Sequence, residues 1–376
     1  MKIIPFSSPD INEQDIDSVA EVIRSGWLTH GNHSETLEDL FCQYTGAKYA
    51  TTVSNCTAGL HLSCLAAGFS EGDEVIVPAQ THVATAHAVE FTGAKPIFCD
   101  VDPVNANLQV DLIRSKLSKK TKGIIPVHMA GYPCDMKEIK KFCQAHDLIL
   151  IEDCAHAIGS VSDKIHVGNF GKAGCFSFYP TKQITTGEGG VVISNEKKFI
   201  EKIQTLKAFG IDTPLSLRKK PGIYDVKYLG YNYRMTDFQA ALGVGQMKRY
   251  DENLKKRKSN AKIYSSILSG NPNISFPRFN KDCSYFLFQI KVSDNIDRDL
   301  VILELIKKKI GVSIHYATSV PHMTYYKKKY GFRLNQFRNA KSYGNKSISL
   351  PVHSKLNQSE IEHVCSSIEK IIEDVS

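Results

Sequence analysis

The 376-residue sequence predicts an α/β protein: a three-layer sandwich with a mostly parallel sheet, followed by a smaller C-terminal α/β domain. Three observations predict it. Short, nearly continuous apolar runs at Glu74–Val77, Pro96–Asp100, Gly123–Val127, Leu148–Glu152, Ala173–Phe178 and Gly190–Ser194 alternate with helical patterns, as expected for strands buried on both faces. The chain is too long for one small core and suits a large domain with a smaller one. The pattern also changes beyond Gly245, which divides the chain into residues 1–245 and 246–376.

Composition narrows the function. With 42% hydrophobic and 23% charged residues, the chain has the balance of an ordinary globular protein. Its net charge of +8 is spread over short lysine runs, such as Lys255–Lys258 and Lys327–Lys329, mixed with acids. Such runs read as solvated helix faces and not as a nucleic-acid stripe, which leaves anionic small molecules as partners. The ten cysteines form no CxxC pair, the N-terminus has no apolar leader, and no apolar run approaches membrane-spanning length. A cytoplasmic protein without a membrane partner is expected.

Taken in order, the spacing of Ile16, Val19, Val22 and Ile23 predicts a helix over 11–24 that stops at Ser25-Gly26. Trp27 follows in a Gly-flanked loop and reads as a packing anchor. A helix over about 34–44 leads to a strand, Tyr49–Val53, and then to Ser54-Asn55-Cys56-Thr57-Ala58-Gly59 before an apolar helix over 60–67. A strand, a small polar turn and a helix start gather free N–H groups and hydroxyls at one spot, which suits an anion. Ser54 or Asn55 acting simply as an N-cap fits the same letters.

Ligands of open α/β sheets bind beyond the strand carboxyl ends. That rule selects the residues after each strand: Pro78 to Thr85, His128, and Glu152-Asp153-Cys154-Ala155-His156. The strand ending at Phe178 runs into a turn holding one lysine, Lys182, followed by hydroxyls and glycines before Val191-Val192-Ile193. A surface lysine in a Gly-rich hairpin fits these letters, but a lysine held and partly buried in such a turn has a lowered pKa and can attack a carbonyl to form a Schiff base. An aspartate at a buried strand end is costly unless it meets a cation, and the protonated ring nitrogen of pyridoxal phosphate is one. Asp153 is the candidate. His82 could stack on a flat ring and His156 could bond its hydroxyl, although each also reads as a satisfied core histidine. The thirteen histidines show no zinc spacing, so no metal is expected.

The C-terminal region predicts a Lys-rich helix over about 247–268, a strand over 285–290, a helix over 303–309, a strand over 311–316 and a final helix from Gln358.

These pieces resemble, in order, the DegT/DnrJ/EryC1/StrS family of pyridoxal-phosphate nucleotide-sugar aminotransferases, a fold-type-I branch of the aspartate aminotransferase superfamily. The resemblance is carried by Ser25 to Thr29, Gly72 to Pro78, Thr81 to Thr85, Pro126-Val127-His128, Glu152 to Ala157, the Lys182 stretch and Gly230 to Met235. Two positions depart from the family pattern. His82 stands where Phe or Trp is usual, and Asn55-Cys56-Thr57 replaces a commoner Ser/Gly-Thr pattern.

The resemblance implies roles for the matched residues. Lys182 would carry the Schiff base to pyridoxal 5'-phosphate and Asp153 would pair with the ring nitrogen. His82 would stack on the ring, with His156 beside its hydroxyl. Thr57, Ala58 and Ser177 would hold the phosphate, joined by Asn232 from the other chain of a homodimer with shared sites. Thr29, Glu188, His315 and Tyr316 would face the substrate. Relatives that dehydrate a nucleotide sugar at carbon 3 have histidine in place of Lys182, so transamination is expected. The implied partners are L-glutamate and a nucleotide-diphosphate keto sugar. The form of Ile184 to Gly190 resembles members acting at carbon 4 of 4-keto-6-deoxy sugars, in surface polysaccharide or O-antigen biosynthesis. The alternatives are amination at carbon 3, another keto substrate such as an inosose, and a non-catalytic regulator that binds the cofactor.

Overall fold

The computed structural model describes residues 3–29, 31–211, 213, 220 and 222–375. Helices α1 (Glu13–Ser25) and α2 (Asn32–Thr45) precede strand β1 (Tyr49–Val53). Helix α3 (Cys56–Ala67), β2 (Glu74–Pro78), α4 (Val83–Glu90), β3 (Lys95–Cys99), α5 (Val110–Arg114), β4 (Thr121–Ile124), α6 (Met136–Ala145) and β5 (Ile149–Asp153) then alternate. A small hairpin, β6 (Val161–Ser162) and β7 (Ile165–His166), leads to β8 (Ala173–Ser177) and β9 (Gly190–Ser194). Helices α7 (Lys197–Lys207), α8 (Asp237–Lys248) and α9 (Tyr250–Leu268) follow.

The main sheet has seven strands in the order β1-β9-β8-β5-β4-β2-β3. The pairs from β3 through β8 are parallel, and β9 alone runs against its two neighbours. Alternation along β9 sorts its side chains into two layers, because successive strand residues point to opposite faces. Val192 packs with Leu60 and Ile203 on the α3 and α7 side, whereas Val191 and Ile193 pack with Leu37, Phe41 and Val244 on the α2 and α8 side. Gly59 lets α3 lie close to that sheet, since a Cβ there would stand 2.9 Å from Val192.

The rest of the chain builds a three-stranded antiparallel sheet of β10 (Ile274–Ser275), β11 (Phe288–Val292) and β12 (Ser347–Leu350). Around it stand α10 (Arg298–Lys307), α11 (Thr324–Tyr330), α12 (Arg338–Lys346) and α13 (Gln358–Val375). Among the described residues no helix is long and apolar enough to cross a membrane.

Several boundaries differ from expectation. The helix expected over 247–268 is interrupted at Arg249, whose guanidinium reaches back to Asp15 at 2.9 Å. The apolar helix starts at Cys56, earlier than its apolar letters suggested, because Asn55 caps it. Strand β11 starts at Phe288, after Tyr285, which has a left-handed φ of 48°. No strand forms over 311–316: Ser313 makes a bridge to Ser349, but the carbonyls of His315 and Tyr316 accept from the side chains of Gln289 and Gln80. Trp27 is 58% exposed in the single chain and does not anchor its core.

Candidate active site

Strands β1, β2, β4, β5 and β8 run in one direction, so their carboxyl ends share an edge of the sheet. Beyond that edge lies a cavity of about 620 Å³. Every residue expected at the site lines it except Thr29 and Asn232. Thr29 bridges to Thr236, and the exposed Asn232 bridges to Ala208.

One wall is the start of α3. Asn55 is extended and its Oδ1 accepts the Ala58 N–H at 2.8 Å. The N–H groups of Cys56 and Thr57 belong to the first turn and have no intrahelical acceptor. Gly190 permits this approach, because a Cβ there would stand 2.6 Å from the Phe176 carbonyl and 2.9 Å from the Cys56 nitrogen. Ser177, at the end of β8, faces the same cavity.

The turn after β8 is tied down on all sides. The Lys182 N–H donates to the Tyr179 carbonyl at 2.9 Å, and the Thr185 hydroxyl to the Phe178 carbonyl at 3.0 Å. Gln246 clamps Thr185 by accepting its N–H and donating to its carbonyl. The Ser7 hydroxyl donates to the Thr181 carbonyl at 3.3 Å. The Lys182 amine rests 4.3 Å from the centre of the Phe286 ring. Burial pushes its pKa down to about 8, although Cys56 and Asp153 oppose the shift.

Asp153 ends β5 and is 4% exposed. Its Oδ1 accepts the Ala155 N–H and its Oδ2 the Thr85 hydroxyl. His156 is buried against Phe286, with ring centres 4.4 Å apart. Its Nδ1 accepts the Ala130 N–H, which leaves Nε2 as the protonated nitrogen, 3.3 Å from the Tyr316 hydroxyl. Burial, aided by Lys182, holds the imidazole pKa well below its usual value. His315 is likewise pushed down to about 3 by burial. His82 caps α4 by accepting the Ala84 N–H at Nδ1, and Glu188 lies exposed at the rim.

His128, Glu152 and Cys154 form a buried cluster of metal-binding residue types. The Glu152 carboxylate is instead engaged by the N–H groups of Gly168, Phe170 and Gly171 and by His128. It anchors the loop before β8.

This donor set fits pyridoxal 5'-phosphate. The α3 start could hold its phosphate, Asp153 its protonated ring nitrogen, and the amine of Lys182 its aldehyde. Sequence reasoning assigned no role to Thr85 or Phe286. Thr85 ends the Thr81–Thr85 stretch that carries the family resemblance, but nothing local marks Phe286.

Comparison with known proteins agrees. The model of the DegT/DnrJ/EryC1/StrS aminotransferase family matches residues 9–369. GDP-perosamine synthase of Escherichia coli O157:H7 is 35% identical, with 100% of each chain covered. UDP-4-amino-4-deoxy-L-arabinose–oxoglutarate aminotransferase of Shewanella sediminis is 35% identical, covering 99% of this chain and 98% of the relative. Spr1654 of Streptococcus pneumoniae, solved in a PMP-form, superposes with a TM-score of 0.92 at 30% identity, covering 99% of this chain and 100% of that one. Its PLP-form gives a TM-score of 0.90 with both chains covered at 100%.

Proposed function

We propose that this chain, which belongs to the DegT/DnrJ/EryC1/StrS aminotransferase family, moves an amino group from L-glutamate to carbon 4 of a nucleotide-linked 4-keto-6-deoxy sugar. It is a sugar aminotransferase and its cofactor is pyridoxal 5'-phosphate. The observation that carries the reading is one cavity shared by the Lys182 amine, the buried Asp153 carboxylate and the open start of α3.

When bound, pyridoxal phosphate supplies an electron sink for the pair left when a C–H bond beside nitrogen breaks. The protein supplies the rest. Lys182, whose pKa burial lowers to about 8, loses its proton more readily than an ordinary lysine and moves the proton at the amine-bearing carbon. Asp153 accepts a hydrogen bond from the ring nitrogen and keeps that nitrogen protonated. The N–H groups of Cys56 and Thr57, with Ser177, bind the phosphate, whereas the Ala58 N–H, expected among the donors, is taken by Asn55 Oδ1. His156, whose Nε2–H faces the Tyr316 hydroxyl in the free chain, would donate that proton to the ring hydroxyl, and His82 would cover the ring.

The Shewanella sediminis relative is named for a 4-amino sugar and for oxoglutarate, which supports both carbon 4 and glutamate as donor. A Bacillus subtilis relative, 33% identical, is named for spore coat polysaccharide biosynthesis, which supports a role in surface polysaccharide. A homodimer is part of the proposal. Large apolar side chains such as Trp27, Ile223 and Leu229 are exposed in the single chain and available to such an interface. Thr29 and Asn232, which lie outside their own cavity, would then serve the partner's. Ten free cysteines suit a reducing cytoplasm.

The test is a panel of UDP-, dTDP- and GDP-linked 4-keto and 3-keto sugars with glutamate, scored for amino sugar and 2-oxoglutarate. Turnover of a 4-keto-6-deoxy sugar, lost in Lys182→Ala, is expected. Turnover of 3-keto sugars alone overturns the assignment to carbon 4.

A further inference from the structure

The Asp153 carboxylate is held at both oxygens. Oδ1 accepts the Ala155 N–H at 3.1 Å and Oδ2 accepts the Thr85 hydroxyl at 2.8 Å. The Thr85 oxygen in turn lies 2.8 Å from the Thr81 hydroxyl. Thr85 and Thr81 are 0% and 1% exposed, so water does not compete for these groups.

The direction of the hydroxyl protons follows from the carboxylate. An ionised carboxylate only accepts, so Thr85 must donate to it. A hydroxyl has a single proton, so Thr81 must donate to Thr85. The chain therefore runs one way, from Thr81 through Thr85 to Asp153. Its upstream end is secured because both threonines flank the α4 start that His82 caps.

Rotation about the last bond of an aspartate side chain is soft and roughly two-fold. A carboxylate with one donor on each oxygen loses that freedom. We propose that Thr85 is a positioning residue of the transamination, fixing the plane of the Asp153 carboxylate against the cofactor ring nitrogen, and that Thr81 holds Thr85 in its donating rotamer. The inference rests on the pyridoxal-phosphate reading above and adds to it. The cofactor's nitrogen sets what must be held, and the hydroxyls that hold it come from Thr85 in α4 and from Thr81 just before that helix.

Three variants test it: Thr85→Val, Thr85→Ser and the double variant Thr81→Val/Thr85→Val. Valine keeps the volume of threonine and removes the donor, whereas serine keeps the donor and removes a methyl group. The measurements are equilibrium binding of pyridoxal phosphate to the cofactor-free chain, the single-turnover rate with glutamate, and the melting midpoint of the cofactor-free chain. Thr85→Val is expected to weaken cofactor binding by about tenfold or more, the scale of a hydrogen bond to a charged group. It should slow the glutamate step while leaving the KM for glutamate near its wild-type value. Thr85→Ser should restore both binding and rate despite the small cavity it leaves.

A packing role gives the reverse order, with serine worse than valine, and that order overturns the proposal. The double variant separates the lost donor from a stranded Thr81 hydroxyl. It should behave like Thr85→Val, and a return to wild-type binding overturns the proposal as well. The melting midpoint shows whether Thr85→Val is folded; if it is not, Thr85→Ala, which also lacks the donor but adds no new contact, takes its place against Thr85→Ser. A wild-type chain that binds no pyridoxal phosphate defeats the functional reading itself. Normal wild-type binding with unchanged Thr85→Val defeats only the positioning role.

Discussion

The Lys182 amine lies 4.3 Å from the centre of the Phe286 ring, so the reactive nitrogen rests on an aromatic face supplied by the C-terminal half of the chain. Burial holds the pKa of this amine near 8, against an ordinary value of 10.5. Between those two values the folded chain binds fewer protons than the unfolded one, so this group makes stability rise with pH across that window. Below it the full cost of burying the charge is present. In cofactor-free protein, Lys182→Met should therefore be more stable than wild type at pH 7, with an advantage that shrinks as pH rises from about 8 to 10.5. Denaturant melts of both proteins across that range check this, and a pH-independent difference would refute it.

Gly190→Ala tests the contact between the α3 start and β9. The added Cβ meets only backbone atoms, at 2.6 Å from Phe176 and 2.9 Å from Cys56, so no side chain can swing away. A loss of about 1–3 kcal/mol of stability is expected from overpacking. Cofactor retention should fall as well, because the displaced atoms carry the phosphate donors. Equilibrium dialysis of the folded variant reads this out, and unchanged retention would detach the α3 start from the phosphate.

Glu152→Gln leaves the reacting groups in place but removes a buried anion that three backbone N–H groups and His128 surround. The amide presents two donors where only acceptors are wanted. A loss of about 3–5 kcal/mol is expected, the scale of breaking a buried charged pair. Urea unfolding measures it. Activity per folded, cofactor-loaded chain should fall far less than it does in Asp153→Asn.

Asn232 provides the test of shared sites. If it serves the partner's phosphate, Lys182→Ala chains mixed with a disabled Asn232 variant should regain activity on subunit exchange, because one site of each heterodimer then has both groups intact. Lys182→Ala alone should lose at least about 10²-fold in the glutamate half-reaction. Heterodimers confirmed by mass spectrometry but as inactive as their parents would place Asn232 within its own chain's function or outside the site.

Much of the site is legible from the letters because it is local. The turn from Ser54 to Ala58, Asp153 at the end of an apolar strand, and Lys182 in its glycine-rich turn each announce themselves within a few residues. The periodicities that reveal strands and helices also reveal where strands end, and in a parallel sheet those ends gather at one edge whatever the details of packing. Phe286 beneath Lys182, Thr85 behind Asp153, the break at Arg249 and the unformed strand at 311–316 were decided differently. Each depends on a group brought in from a distant stretch: a ring against the lysine amine, a carboxylate at a strand end, Asp15 on α1, or the amide side chains of Gln80 and Gln289. Local spacing encodes which face of an element is buried, but what that face meets is set only when the layers pack together.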